Sequence, residues 1–96
     1  MRHYRTHNDY LKEFLKDPKK ASAYLTAAAE ENDPVFLLAA LAKVAKAHGM
    51  SKMAHKASVT RVGLYKTLSK KGNPELRTFL KLLAASGLQL SFKPAA

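Results

Sequence analysis

Cysteine is missing from this 96-residue chain, which rules out a disulfide, a thiolate metal site and a cysteine nucleophile. Such a chain suits a reducing compartment, and a cytoplasmic location is expected. Tryptophan is absent too, so a core must come from aliphatic residues, alanines and a few rings. No apolar run approaches the ~20 residues of a membrane span, and the opening MRHYRTHNDYLKEF is polar where a secretory signal needs an apolar stretch. No membrane partner is expected. Acidic residues are scarce as well: 7 Asp and Glu face 17 Lys and Arg, a formal net charge of +10.

Hydrophobic residues make up 47% of the chain, enough for one small core and too short a chain for two, so a single domain over 1–96 is expected. Proline and glycine number only four each, and their positions punctuate it. Asp17-Pro18 and Asp33-Pro34 each set a capping side chain before a proline at a first helical position. The helices expected after them run from Pro18 to Glu31, with Ala21, Tyr24, Leu25 and Ala28 on one side, and from Pro34 to His48, with Leu37, Leu38, Leu41, Val44 and Ala45. A turn at Lys71-Gly72-Asn73 precedes a last helix, Pro74 to Ser86, whose expected stripe is Leu76, Phe79, Leu80 and Leu83, with Gly87 as its stop. Beyond it Leu88-Gln89-Leu90-Ser91-Phe92 alternates apolar and polar, the pattern of a short strand that needs a partner strand, such as one from a second subunit.

Between these elements lies GMSKMAHKASVTRVGLYKTL, Gly49 to Leu68, with helix-turn-helix spacing. Gly49 suits a helix end, and Ser51 is placed to cap a short helix carrying Met53, Ala54 and Ala57 inward. Ala57-Ser58-Val59 can turn tightly with Val59 tucked in, and Thr60 can cap a second helix from Arg61 to Ser69. There Leu64 and Leu68 share one face, leaving Arg61, Val62, Tyr65 and Lys66 on others, where they could meet a DNA groove. Short amphipathic helices joined by turns also occur in proteins that never touch nucleic acid, so charge matters to the reading. Residues 1–48 hold 8 basic and 6 acidic side chains, whereas residues 49–96 hold 9 basic and 1 acidic. Lys52, Lys56, Arg61, Lys66, Lys70, Lys71, Arg77 and Lys81 thus cluster on and just after the motif, as phosphate contacts require.

Arg61, near the start of the second helix, has the fork that reads guanine O6 and N7. Val62 can pack on a thymine methyl but cannot hydrogen-bond a base. Tyr65 can reach a phosphate or sugar, or pack its ring on the preceding helix. Ser51 and Lys52 at a helix start suit a phosphate, or are an ordinary cap and a solvated lysine. Thr60 reads as cap more than contact, while Lys66, Lys70 and Lys71 are phosphate candidates. Gly63 inside a short helix costs about 1 kcal/mol relative to alanine, which leaves either a helix ordered by its ligand or a close backbone approach to DNA.

The histidines form no catalytic constellation. His3 and His7, four apart, could hold a metal only with a third ligand that is not evident, and a frayed terminus is the expectation there. His48 and His55 flank Gly49 on different elements. There is no Ser/His/Asp set, carboxylate pair or phosphate-cradling glycine loop, so no enzyme, metal or cofactor is expected.

In the order and spacing of its segments the chain resembles the addiction-module antidote proteins, the antitoxin halves of bacterial toxin–antitoxin pairs. The matching stretches are Tyr24-Leu25-Thr26-Ala27-Ala28 with Asn32-Asp33-Pro34, Leu37 to Ala47 into Gly49-Met50-Ser51, and Leu64-Tyr65-Lys66-Thr67-Leu68-Ser69. They continue through Gly72-Asn73-Pro74 and Leu80-Lys81-Leu82-Leu83 to Gly87-Leu88-Gln89-Leu90. The resemblance implies an all-α fold: a five-helix lambda-repressor-like or Cro-like helix-turn-helix domain with an N-terminal helical extension. Residues 1–33 would be extension and helix, 34–87 the helix-turn-helix core, and 88–96 a dimerisation strand and tail. It also implies a protein that binds operator DNA, represses its own operon and neutralises a toxin of RelE or ParE type. Where the family carries Gly, an aliphatic residue, Ser, Arg, Glu and a small hydroxyl residue before Leu-Tyr, this chain has Ser58, Val59, Thr60, Arg61, Val62 and Gly63, so its operator should differ.

Two functions from different classes follow. One is a dimeric repressor, since a single recognition helix reads too few bases and a twofold dimer reads two half-sites, with Leu88, Leu90 and Phe92 in the dimer contact. The other is a protein-binding module that sequesters a partner and has only non-specific affinity for nucleic acid. For a toxin contact the segment 1–33 is the candidate, lying outside the DNA-reading core.

Overall fold

Asp17 ends one helix and begins the next: as N-cap it accepts a hydrogen bond from the Lys19 N–H at 2.9 Å, with Pro18 in the first turn. Asp33 repeats the device with the Val35 N–H at 3.0 Å. The computed structural model describes residues 6–96, with Asn8 described by its backbone alone. Six helices occur there: α1 His7–Lys16, α2 Pro18–Ala29, α3 Pro34–His48, α4 Met50–Lys56, α5 Arg61–Thr67 and α6 Leu76–Ala85.

The expected count of five gives way to six because α1 is a full helix and not a frayed terminus. Thr6 and Asp9 close a reciprocal capping box, the Thr6 hydroxyl accepting from the Asp9 N–H at 3.1 Å and the Asp9 carboxylate from the Thr6 N–H at 3.0 Å. Leu11 and Leu15 then share one side, Leu15 fully buried, and α1 packs on α2 and α3. His7 lies at its start, while His3 falls outside the described residues.

Inward faces follow the helical period along α2 and α3. Ala21, Leu25, Ala28, Leu38, Leu41, Val44 and Ala45 are buried, with Tyr24 and Leu37 half-buried beside them. Alanine at so many of these places lets helices approach closely, which suits a chain without tryptophan. At α6 two expectations fail. Pro74 does not open the helix: Glu75 is the N-cap, in extended conformation and without a side-chain hydrogen bond, and Leu76 comes first. The buried side is Leu82 and Leu83, with Phe79 half-buried, whereas Leu76 and Leu80 stay exposed because α6 meets α4 along its later turns. Ser86, buried at the end of α6, donates to the Leu82 carbonyl at 2.9 Å and lies 3.8 Å from the Met53 sulfur of α4.

No strand forms among the described residues, so the strand expected over Leu88–Phe92 is corrected. Gly87, at φ +77°, and Leu88 donate their N–H groups back to Ala84 and Leu83, which closes α6 in a Schellman motif and uses Leu88 as its apolar cap. Residues 89–95 then run in irregular form along a groove of about 660 Å³ against Leu25, Leu37 and Phe79. Lys93 pairs with Glu30 at 2.8 Å, a bond that holds the Glu30 carboxyl below its usual range. A lone strand has no ladder partner here, and the tail meets its own domain through the Lys93–Glu30 pair instead.

Candidate nucleic-acid interface

One residue separates α3 from α4. Gly49 takes φ +100°, a conformation unfavourable for residues with a Cβ, donates to the Ala45 carbonyl at 2.9 Å and accepts from the Met53 N–H at 2.9 Å. It thus ends one helix and caps the next. Ser51 consequently sits inside α4, which has no side-chain cap, and the capping role expected for it is corrected. Met53 and Ala54 are buried, and after Ala57 the chain turns through Ser58 at φ +57°. Val59 donates to the Ala54 carbonyl at 2.9 Å and packs half-buried against the core.

Thr60 caps α5 as expected, its hydroxyl oxygen accepting from the Gly63 N–H at 2.9 Å. A Cβ at Gly63 would lie 2.9 Å from that oxygen, tighter than van der Waals contact allows. The missing methyl therefore makes room for the cap, a reason local to α5 that neither expected alternative included. The helix ends at Thr67, two residues before the expected Ser69. Gly72 in the following turn admits no side chain, since its Cβ would fall 1.9 Å from the Thr67 carbonyl oxygen.

Burial divides α5 cleanly. Leu64 and Leu68 face the core, at 0% and 7% exposure, while Val62 is 66% and Tyr65 45% exposed. Arg61 and Lys66 are exposed as well. The Arg61 guanidinium lies over the Tyr65 ring, 5.7 Å from its centroid. Neither reading of Tyr65 included this contact within α5. Ser51, Lys52 and Lys56 on α4, Lys70 and Lys71 after α5, and Arg77 and Lys81 on α6 are all exposed. The structure brings Thr60 to Gly63 and Arg61 to Tyr65. The lysines gather by neighbourhood of elements, since α4 packs against both α5 and α6.

His48, the last residue of α3, was read only as a flank of Gly49. Its Nε2 is sealed from solvent and makes no hydrogen bond, and burial, then the charges of Lys56, Lys52 and Lys16, hold its pKa below the ordinary value near 6.5. Lys52 and Lys56 follow His48 by four and eight residues on α4, and only the tertiary fold brings Lys16 of α1 to the end of α3. Among the described residues no group of His, Asp and Glu is arranged to hold a metal, and no helix is long and apolar enough to cross a membrane.

A small helical domain with a basic pair of short helices is the class that fold and site define. Residues 6–94 match the family described as probable addiction module antidote protein, and the chain belongs to that family. An uncharacterised protein of Haemophilus influenzae (strain ATCC 51907 / DSM 11121 / KW20 / Rd) is similar at 38% identity over 77 residues, covering 80% of this chain and 79% of the relative. No solved structure matches. Membership in an antidote family implies a cognate toxin as partner and its neutralisation as the role.

Proposed function

We propose that the chain is an antitoxin that also binds operator DNA through α5, represses its own operon, and neutralises a toxin of RelE or ParE type. The observation that carries the DNA half is the division of α5: two buried leucines anchor it, and Arg61, Val62, Tyr65 and Lys66 are left outward behind a four-residue turn from α4. Only one acidic residue, Glu75, occurs after Gly49, so the surroundings favour phosphate. In this reading Arg61 reads guanine, Val62 contacts a thymine methyl, and Tyr65 meets sugar or phosphate while supporting Arg61. Lys52, Lys66, Lys70 and Lys71 bind phosphates, with Ser51 beside them. Thr60 positions the helix, its oxygen already engaged by Gly63.

A helix-turn-helix of this size needs a second copy to read a palindrome, so the operator-bound form is a twofold dimer. Leu88, Leu90 and Phe92 supply one candidate contact, with Leu90 and Phe92 exposed at 41% and 90%. The toxin contact is assigned to the described part of 1–33, α1 and α2, which lie apart from α5 in the packing order.

The test is binding to a promoter fragment and a shuffled fragment across a salt series, with Arg61→Ala alongside. The reading expects preference for the promoter, lost in Arg61→Ala while weak salt-sensitive binding persists. Equal binding of both fragments overturns it. Exposed Val35, Phe36, Leu90 and Phe92 favour the second reading, a module that grips protein alone. That reading would be supported by capture of the neighbouring gene product without DNA preference.

A further inference from the structure

Between α2 and α3 lies a groove of about 250 Å³. Ala27, Ala28, Ala39 and Ala40 line it, with Phe36 and Lys43 beside them on α3 and Glu31 in the α2–α3 connection. On α3 the positions 36, 39, 40 and 43 follow at i, i+3, i+4 and i+7 and so share one side. Phe36 is 51% exposed despite its apolar ring. Neither Glu31 nor Lys43 has an ion-pair partner among the described residues.

These features are two halves of one contact. An apolar cavity of about 150 Å³ accepts benzene, so a groove of this size has room for an aromatic ring. Alanine walls let that ring or a helix backbone come close, and rings settle well edge to face against one another. The acid lies before the start of α3 and the base about 14 Å along its axis, at 1.5 Å per residue, so opposite charges mark opposite ends. Under a twofold axis any contact of one residue with another is made twice, which gives a surface carrying both a knob and its hollow, and both signs of charge, a match in itself. With a net charge of +10 most faces of this chain repel a copy. Here one acid balances one base.

We propose that this groove is the interface between two copies of the chain, each Phe36 seated in the alanine hollow of the other and each Glu31 facing the other's Lys43. The inference supplies the second copy that operator binding calls for, although the match of the surfaces does not depend on DNA. It also keeps α5 clear, because α2 packs against α1 and α3 while α5 packs against α4.

Sedimentation of the full-length chain over a concentration series tests the interface. A reversible dimer is expected, with Phe36→Ser raising its dissociation constant about tenfold or more. Glu31→Lys and Lys43→Glu, each alone, should weaken it by a similar factor, and the double reversal should return it to within about threefold of the parent. Leu80→Ser should leave it unchanged. All these positions are exposed, so folding should survive, and circular dichroism checks that it does. The charge-reversal set keeps the test decisive even if Phe36→Ser unfolds. A parent chain that is monomeric throughout overturns the proposal, as does a dimer broken only by Leu80→Ser or Phe92→Ser, or a double reversal that fails to restore. Loss of promoter preference with the dimer intact would instead sink the operator reading and leave this one standing.

Discussion

Arg61 and Tyr65 form a cation–π pair on the outer side of α5, with 5.7 Å between guanidinium and ring centroid. At an exposed site such a pair contributes about 0.5–1 kcal/mol, enough to favour one rotamer of a long side chain before any ligand arrives. Arg61→Ala should cost about 1–3 kcal/mol of discrimination between promoter and shuffled DNA. Tyr65→Phe should keep most of that discrimination and Tyr65→Ala should lose part of it, as read by competition binding. Equal loss in Phe and Ala variants would mean that the hydroxyl matters and the ring does not.

Gly63 and Thr60 should be coupled. Replacing Gly63 by alanine gains up to about 1 kcal/mol of helix propensity but pushes a methyl against the capping oxygen, whose loss costs about as much. Gly63→Ala should therefore be neutral or destabilising in the parent chain. In a Thr60→Ala background the same change should stabilise by up to about 1 kcal/mol. Thermal or urea unfolding of the four proteins gives the cycle, and additivity within error would remove the steric explanation.

Lysines around the candidate interface should act through charge alone. Replacing Lys66, Lys70 and Lys71 together by glutamine should flatten the slope of log affinity against log salt by about 0.9 for each true phosphate contact. The preference for promoter over shuffled DNA should hardly change, since phosphate contacts position without reading sequence. An unchanged slope would show those lysines to be merely solvated.

His48 makes stability depend on pH in a defined direction. In the fold its ring is held neutral by burial and by Lys56, Lys52 and Lys16, so its pKa lies below the unfolded value near 6.5. Between those two values the unfolded chain binds more protons, and stability rises with pH. Unfolding at pH 5 should thus need less denaturant than at pH 7.5, and His48→Gln should shrink the difference. A pH profile identical in the variant would assign the effect elsewhere.

Much of this architecture is written in short-range chemistry. Asp-Pro pairs start α2 and α3, Gly49 and Gly87 end helices where positive φ is needed, and the spacing of Leu64 and Leu68 sets which side of α5 is buried. Each rests on one residue and its nearest turn, which is why the chain alone announces it. The Thr6–Asp9 box that opens α1 is equally local, and Leu11 and Leu15 follow it at helical spacing, so α1 too is legible in the chain. Family membership also follows from the order of these segments along the chain.

Other features have no local cause. Which side of α6 is buried depends on where α4 lies, so Leu82 goes inward and Leu76 outward despite a stripe that reads well on paper. The tail alternates like a strand yet has no ladder to join, and it settles against its own groove with Lys93 on Glu30. His48 acquires Lys16 of α1 as a neighbour, and Phe36 its alanine hollow, only when helices pack against one another. The sequence by itself determined where α2 and α3 begin and where Gly49 and Gly87 end helices, because those depend on dihedral preference and hydrogen bonds within a turn. Tertiary structure decided which apolar side chains find cover and which charges meet, because burial and Coulomb interaction depend on distance in space.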